Sequence, residues 1–280
     1  MWVTLTNIRK VYPLRRGEIQ ALGGVSLSIR DGEFMGLVGP NGCGKTTLLH
    51  IIAGLEAPSQ GRIDFQGARS QPPNISMVWQ DFALMPWRTV ETNVGFPLEI
   101  RKMAKTAYQK VTDYCLQLLN LRHFEKFYPE QLSGGMKQRT GIARALAHDP
   151  ELILMDEPFA NLDAQVKMLM QQELLQLWER DRKTILYVTH HLEEAVLLCD
   201  RIAIMSRRPG HIRRVVDVDL PRPRTLKTMG NPGFSAVLQE VWNLLVEDVQ
   251  QSMEETRTPE AIQKEQKKEK QKCGGWPWSF

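Results

Sequence analysis

The sequence predicts an α/β fold in which helices flank a mostly parallel β-sheet. The first indication is a glycine-rich loop at 39–46, which follows an apolar run at 34–38 and precedes a stretch of helical character at 47–53. The second is a pair of short, largely apolar runs, 152–155 and 184–189, typical of parallel strands that are buried on both faces. Strands and helices that alternate around a phosphate loop build a sheet of this kind.

The remaining elements are predicted from hydrophobic periodicity. Apolar residues at every second position predict two antiparallel strands, at 3–6 and 21–29, each with one buried face. Four further strands are predicted at 61–65, 75–78, 201–205 and 215–218. Apolar residues at helical spacing predict helices at 106–121, 130–148, 164–180, 192–199 and 234–249.

Composition narrows the class of protein. Apolar residues make up 42% and charged residues 24% of the chain, as in ordinary soluble domains. No apolar run approaches the ~18 residues of a membrane span, and the N-terminus lacks a secretory signal. The formal charge of +4 indicates an anionic partner only weakly and does not call for nucleic acid. The four scattered cysteines lack the spacing of a disulfide framework or metal site, which suits a reducing cytosol: Cys43, Cys115, Cys199 and Cys273.

A change in character after Leu220 predicts the domain organisation. Residues 1–220 carry the α/β pattern, and the Pro-Arg-Pro-Arg sequence that follows interrupts regular structure. We expect a C-terminal helical extension at 221–253 and a charged tail at 254–280 that is a solvated helix or disordered. The aromatic end of that tail, 276–280, is a docking peptide or, as we favour, an unstructured terminus.

The loop at 39–46 predicts a nucleoside triphosphate site, because it fits the pattern G-x-x-x-x-G-K-[ST]. Such a loop turns successive backbone N–H groups onto a phosphate chain, and the following helix N-terminus adds partial positive charge. Lys45 can reach the terminal phosphates, and the Thr46 hydroxyl can complete a Mg²⁺ shell. A chance glycine-rich turn would not require the strand, the helix, Lys45 and Thr46 together. The candidate phosphate-binding residues are Gly39, Pro40, Asn41, Gly42, Cys43, Gly44, Lys45, Thr46 and Thr47.

Two adjacent carboxylates end the apolar run at 152–155. Asp156 would lie beside a phosphate-bound Mg²⁺, and Glu157 could orient or deprotonate the attacking water. The alternative, a strand that simply ends in a polar turn, explains the Asp-Glu-Pro sequence less well.

A second anion-binding element precedes the helix predicted at 130–148. Ser133, Gly134 and Gly135 combine a hydroxyl with free N–H groups at a helix start. One nucleotide does not need two such elements from one chain. We therefore expect this one to serve the nucleotide of another subunit.

Together these motifs resemble the ATP-binding cassette (ABC) family over residues 3–220. By that resemblance, 39–46 is the Walker A loop, Asp156 and Glu157 are the Walker B aspartate and catalytic glutamate, and 133–135 is the family signature. The resemblance also assigns the Q-loop to Gln80, the D-loop to Asp163, the switch histidine to His190 and the adenine-stacking aromatic to Tyr12. Two positions depart from the common pattern, the Ala-Asn-Leu-Asp form of the D-loop and His191 in place of a frequent Asp; neither removes a required group.

The resemblance implies a mechanism and an architecture. The fold would be a P-loop NTPase cassette with an antiparallel β subdomain and a helical subdomain at about 85–150. Lys45, Gln80, Glu157 and His190 would be catalytic, Mg²⁺ would be held by Thr46, Gln80 and Asp156, and Ser133, Gly134, Gly135 and Asp163 would act in trans. Two such subunits, identical or closely related, would close head-to-tail around two MgATP and reopen after hydrolysis.

The kind of ABC protein follows from what the chain contains. Repair ATPases need a long coiled coil between the Walker A loop and the signature, and translation factors usually carry two cassettes. This sequence shows neither feature. We therefore expect a transporter subunit with separate membrane-spanning permease partners. The segment at 84–90, which includes Trp87, lies where the family receives a permease helix and resembles the nitrate/sulfonate/taurine import branch, as do 207–212 and 219–224. Trp87 could instead be a core aromatic; its place beside Pro86 favours a contact surface.

This reading places the chain on the cytoplasmic face of the plasma membrane as a peripheral ATPase. It would power uptake of a small anion delivered by a periplasmic or lipoprotein solute-binding protein. Nitrate or a nitrite-like anion comes first, followed by aliphatic sulfonate, taurine, bicarbonate and cyanate. The alternative is a soluble regulatory ATPase of the same family that transports nothing.

Overall fold

The computed structural model describes residues 1–15 and 17–256, and the side chains of its last helix as far as 246. The prediction for Cys273, for the aromatic end and for all of the tail beyond 256 lies outside the described residues. Residues 254–256, which were predicted to begin the tail, end the last helix.

The described strands form two sheets. They are β1 (Trp2–Pro13), β2 (Glu18–Ile29), β3 (Phe34–Val38), β4 (Gln60–Gln66), β5 (Ile75–Val78), β6 (Leu152–Asp156), β7 (Thr184–Val188), β8 (Arg201–Met205) and β9 (Ile212–Asp217). The larger sheet has the order β5-β6-β7-β3-β8-β9, with all pairs parallel except β8 and β9. The smaller sheet, β2-β1-β4, is antiparallel. The predicted combination of a mostly parallel sheet with an antiparallel one is confirmed.

Side chains that alternate along the central strands separate two hydrophobic layers. On β3, Met35 and Leu37 face the smaller sheet, whereas Phe34 and Val38 face the helices on the other side. All five residues of β3 are buried, as are those of β6 and β7. Burial on both faces explains why these strands are largely apolar rather than alternating.

Helices cover the larger sheet and form a separate group after β5. They are α1 (Lys45–Ile52), α2 (Val90–Ile100), α3 (Lys105–Leu118), α4 (Gly134–Ala147), α5 (Ala164–Asp181), α6 (Leu192–Leu198) and α7 (Pro232–Thr256). The packed group α2, α3 and α4 occupies the predicted helical subdomain. The exact domain boundaries stay predictions. Within the described residues, no helix combines the length and apolarity that crossing a bilayer requires.

The sequence prediction was wrong at the start of one helix and missed another. The helix predicted at 130–148 begins instead at Gly134, because the Ser133 side chain accepts a hydrogen bond from the Met136 N–H at 3.3 Å and caps the helix there. Helix α2 was not predicted, because it contains Gly95 and Pro97, two residues of low helix propensity. Thr89 caps its start, accepting from the Thr92 N–H at 3.4 Å.

Trp178 on α5 links the helical layer to the sheet. Its ring lies 5.6 Å from that of Phe34 at an edge-on angle, and its Nε1 donates to the Lys183 carbonyl at 2.8 Å. The guanidinium groups of Arg182 and Arg222 lie 4.2 and 4.1 Å from its ring centroid. Only 2% of the residue is exposed, so its removal would leave a cavity between α5 and β3.

Trp178→Ala is expected to lower the free energy of unfolding by about 3–5 kcal/mol, because it loses buried area and leaves a cavity. The control is Trp242→Ala on α7, where the side chain is 56% exposed and little burial is lost. Denaturant unfolding measures both. Equal losses in the two variants would contradict the role of Trp178 as a core residue.

Candidate nucleotide site

The phosphate loop connects the end of β3 to the start of α1, and its backbone needs glycine at two places. Gly44 has a φ of 106°, and a Cβ there would lie 2.8 Å from Leu22 Cδ2. A Cβ on Gly39 would lie 2.8 Å from the carbonyl oxygen of Met205. The loop is therefore a tight backbone cradle that larger side chains would obstruct.

Lys45 lies over this cradle. Its ammonium group is bound by the carbonyls of Gly39 and Pro40 at 2.8 and 3.0 Å, and the residue is only 7% exposed. The Cys43 side chain is buried in the hydrophobic layer, which raises the pKa of its thiol, so this residue can offer only its backbone to a ligand. Lys45 is the cation that phosphate oxygens would meet on entering the cradle.

Asp156 ends β6 beside Thr46 and is 7% exposed. Burial raises the pKa of Asp156; a hydrogen bond with the Thr46 side chain opposes this rise, and the negative charge of Glu157 adds to it. Burying an ionised carboxylate beside a second carboxylate is unfavourable, and a bound divalent cation would offset this cost. The donor set of one carboxylate and one hydroxyl fits Mg²⁺, which takes most of its other ligands from phosphates and water.

Glu157 and His190 meet at the adjacent strand ends. His190 Nδ1 lies 2.9 Å from Glu157 Oε2, and both side chains reach solvent. Glu157 has a φ of 45°, in the left-handed region that disfavours a side chain, and its N–H is held by the Val188 carbonyl at 3.0 Å. The strained backbone directs the carboxylate out of the sheet towards the edge where a nucleotide would lie.

A buried glutamate that the sequence analysis missed fixes the backbone next to His190. Glu194 accepts hydrogen bonds from the hydroxyls of Tyr187 and Thr189 at 2.9 and 2.8 Å and forms an ion pair with Lys167. Burial beside Glu194 raises the pKa of Tyr187 well above its usual range, so its hydroxyl stays a donor. No sequence pattern distinguishes Glu194 from the exposed Glu193.

A second missed group supports the phosphate loop from the segment between β8 and β9. Arg208 Nε donates to the Gly42 carbonyl at 3.1 Å. Gly210 packs so closely that a Cβ there would lie 2.2 Å from the Cys43 carbonyl oxygen. In the sequence this segment indicated only the branch of the family, whereas the structure places it in contact with the cradle.

Tyr12 lies on β1 near the start of α1. Its hydroxyl donates to Glu56 Oε2 at 2.6 Å, and Lys10 Nζ lies 5.0 Å from its ring centroid. Burial, followed by the hydrogen bond with Glu56, raises the pKa of Tyr12, and a hydrogen bond with Thr47 opposes it. The structure thus brings Tyr12 to Thr47 in the phosphate-binding segment; stacking on adenine stays a prediction.

The other predicted residues lie outside the Lys45–Asp156 cluster. Gln80 follows β5 with an exposed side chain. Ser133 is exposed at the start of α4, and Asp163 caps α5, accepting from the Val166 N–H at 3.0 Å. Gly135 and α5 are in close contact, since a Cβ on Gly135 would lie 2.8 Å from Val166 Cγ1. The signature and the D-loop residue therefore sit on helices in contact with each other.

Comparisons with known proteins identify the family. The sequence pattern described as ABC transporter matches residues 22–160. An uncharacterised ABC transporter ATP-binding protein of Methanocaldococcus jannaschii is 42% identical over 249 residues, covering 88% of this chain and 92% of that protein. The chain belongs to the ABC transporter family.

Other relatives in this family have names that specify a cargo. The nitrate import ATP-binding protein NrtD of Synechocystis is 40% identical, with 88% of this chain and 95% of that protein covered. The bicarbonate transport ATP-binding protein CmpC of Synechococcus elongatus is 41% identical over 86% of this chain but only 37% of that longer protein.

Solved structures confirm the predicted cassette fold. The ATP-binding cassette MJ0796, solved as a dimer in a post-hydrolysis state bound to ADP and Pi, superposes with a TM-score of 0.68. It is 34% identical and covers 78% of this chain and 100% of its own length. The ABC cassette described here is accordingly an ATPase that binds ATP.

Asp156→Asn is expected to raise the melting temperature of the nucleotide-free ABC cassette at about pH 7.5, while removing the extra stability given by Mg²⁺ with ATP. A raised pKa means that the ionised Asp156 is less favourable in the folded than in the unfolded chain. Protonated Asp156 contributes stability that is complete below its unfolded pKa of ~3.9. This stability is lost as the pH rises through its folded pKa.

The control is Asp149→Asn, which should have the opposite sign. A hydrogen bond from Lys183 lowers the pKa of Asp149 in the folded chain. Ionised Asp149 therefore stabilises the fold at a pH above its unfolded pKa, and this stabilisation is lost as the pH falls through its folded pKa. Thermal unfolding at about pH 5 and 7.5 compares the two variants. A lower melting temperature for the Asp156 variant without nucleotide would contradict the electrostatic account.

Proposed function

We propose that this chain is the ATP-hydrolysing subunit of an importer for a small anion. Nitrate or a similar inorganic anion is the first candidate, followed by aliphatic sulfonate, taurine, bicarbonate and cyanate. The similarity to NrtD along nearly its whole length supports this order, and CmpC supports bicarbonate within the same group. Neither these relatives nor the described residues favour the regulatory alternative.

The observation that carries the proposal is the group of side chains at the ends of β3, β6 and β7. In this proposal Lys45 binds the terminal phosphates, while Thr46 and Asp156 hold Mg²⁺, which would neutralise charge on the phosphates when bound. Glu157 orients the attacking water and accepts its proton. His190, in contact with Glu157 at 2.9 Å, contacts the γ-phosphate.

The same chain would complete a site on a second ATP-binding subunit. Ser133 and the N–H groups of Gly134 and Gly135 form an exposed helix N-terminus, which favours an anion. The D-loop, ending in Asp163, lies against this helix start, so both would meet the partner's nucleotide together. The dimer of MJ0796 supports such an arrangement.

The surface around Trp87 is our candidate for contact with the membrane-spanning permease subunits. Trp87 is 74% exposed, although the loop that carries it is well fixed. Asn93, fully buried, accepts from the Met85 N–H at 2.9 Å and donates to the carbonyls of Met85, Arg88 and Thr89 at 3.0–3.1 Å. A large aromatic held on a rigid loop loses little conformational entropy on binding, as interface anchors do.

This assembly would hold the chain at the cytoplasmic face of the membrane as a peripheral subunit. The permease subunits would carry the anion across, and a periplasmic or lipoprotein solute-binding protein would act on this chain only through them. The positive net charge does not point to nucleic acid in this proposal.

Glu157→Gln is expected to retain ATP binding, to lower ATP hydrolysis by ~10²–10⁴-fold, and to accumulate as a dimer with ATP bound. Gln keeps the size of the side chain but cannot accept the proton from water. Light scattering after size exclusion measures the dimer, and phosphate release measures turnover. The control, Glu240→Gln on α7, changes an exposed carboxylate and should do neither. A fully active Glu157 variant would refute its role, and an ATP-bound monomer would refute the two-subunit site.

Trp87→Ala is expected to weaken association with the permease subunits by about 2 kcal/mol, roughly 30-fold, while the isolated subunit keeps its basal ATPase rate. Co-purification from detergent and transport in proteoliposomes measure the loss. Trp2→Ala, at another exposed tryptophan on β1, is the matched control. Equal effects of the two substitutions would argue against this surface.

A further inference from the structure

The turn after β5 has a strained backbone next to Gln80. Phe82 and Ala83 have φ values of 60° and 46°, so two consecutive residues with side chains occupy the left-handed region. Such conformations persist when neighbouring groups hold them, and they concentrate at sites where geometry matters for function. The groups that hold this turn therefore also determine where Gln80 lies.

Arg144 on α4 holds the turn directly. Its Nη1 donates to the Ala83 carbonyl at 2.7 Å, and its Nη2 donates to the Phe82 carbonyl at 3.2 Å. Among the described residues, no carboxylate lies within ion-pair distance of Arg144, and burial lowers the pKa of its guanidinium group. A half-buried guanidinium group that is bound to two backbone carbonyls and to no carboxylate of the described residues indicates that Arg144 holds this turn rather than a surface ion pair.

Asn161 holds the same turn from the side of the Walker B carboxylates. Its Nδ2 donates to the Gln80 carbonyl at 3.1 Å and to Asp81 Oδ1 at 3.4 Å. Asn161 lies between Glu157 and Asp163 in the sequence, and it is one of the positions at which the D-loop departs from its common form. The turn at 80–83 is thus held by α4 at its end and by the D-loop at Gln80.

We propose that Arg144, assisted by Asn161, is a positioning residue that couples Gln80 to the signature at the start of α4. Helix α4 carries Ser133 at one end and Arg144 near the other, so a displacement of the helix moves both. This inference rests on the proposed two-subunit site, in which Ser133 faces the nucleotide of the partner. Arg144 then connects Gln80 in its own site to the occupancy of the opposite site.

The test uses the full chain and three substitutions: Arg144→Met, Arg144→Lys and Asn161→Ala. Arg144→Met should lower kcat by ~10-fold or more, leave the KM for MgATP within about twofold, and reduce the Hill coefficient for ATP towards one. Lys cannot donate to two carbonyls with the same planar fork and should restore only part of kcat. Asn161→Ala should show the same pattern more weakly. The control is Arg122→Met, because Arg122 lies between α3 and α4 and pairs with Asp113 instead.

A second measurement asks whether Arg144 acts through Gln80. In a Gln80→Ala background, Arg144→Met should lower kcat by less than about twofold, since the group that it positions is already gone. If the two effects multiply, or if Arg144→Met leaves kcat and the Hill coefficient unchanged, the inference is wrong. Should Arg144→Met not fold, Arg144→Lys and Asn161→Ala decide by the same criteria.

The outcome separates this inference from the proposed function. If the Glu157→Gln variant forms the dimer but the Arg144 variants keep the kcat and the Hill coefficient of the unsubstituted protein, only the coupling role is overturned. Absence of that dimer would overturn the two-subunit site itself, and with it the basis of the coupling.

Discussion

The register of three parallel strands is the constraint on which the site depends. Asp156 at the end of β6 pairs with Val188 at the end of β7, which in turn pairs with Leu37 near the end of β3. The phosphate loop, the Asp-Glu pair and His190 follow these three ends directly. A slip of one residue would turn Asp156 to the opposite face of the sheet, because the side-chain period of a strand is two. The slip would also exchange the side chains buried on the two faces of these strands, so dense packing on both faces opposes it.

This dependence explains which functional residues the sequence could predict. Asp156 ends an apolar strand and Lys45 follows another through the glycine-rich loop, so the local sequence itself marks their position. Arg144 could not be predicted in the same way, because it contacts carbonyls that lie 61 and 62 residues earlier in the chain. Backbone acceptors carry no side-chain signature, and Glu194 similarly resembles any other helical glutamate.

The errors in the predicted elements have related causes. Hydrophobic periodicity locates the middle of a helix, whereas its start depends on one capping side chain, and Ser133 shows that such a cap can also be the functional group. In α2, the Gly95 position that weakens the helical pattern is needed for packing, since a Cβ there would lie 2.1 Å from the Tyr108 hydroxyl. Hydrophobic periodicity therefore reports neither a local cap nor the tertiary packing that overrides local propensity in α2.

Lys45 shows how nucleotide binding acts on this framework. Two of the three N–H donors of its ammonium group are bound by the carbonyls of Gly39 and Pro40, so in the proposed site a phosphate oxygen would take the third donor or replace one of these carbonyls. Negative charge also lies at Asp156 and Glu157, and Mg²⁺ would offset it in the proposed site. Because the carboxylates and the phosphates are both negative, the proposed site would bind MgATP more tightly than ATP without the metal.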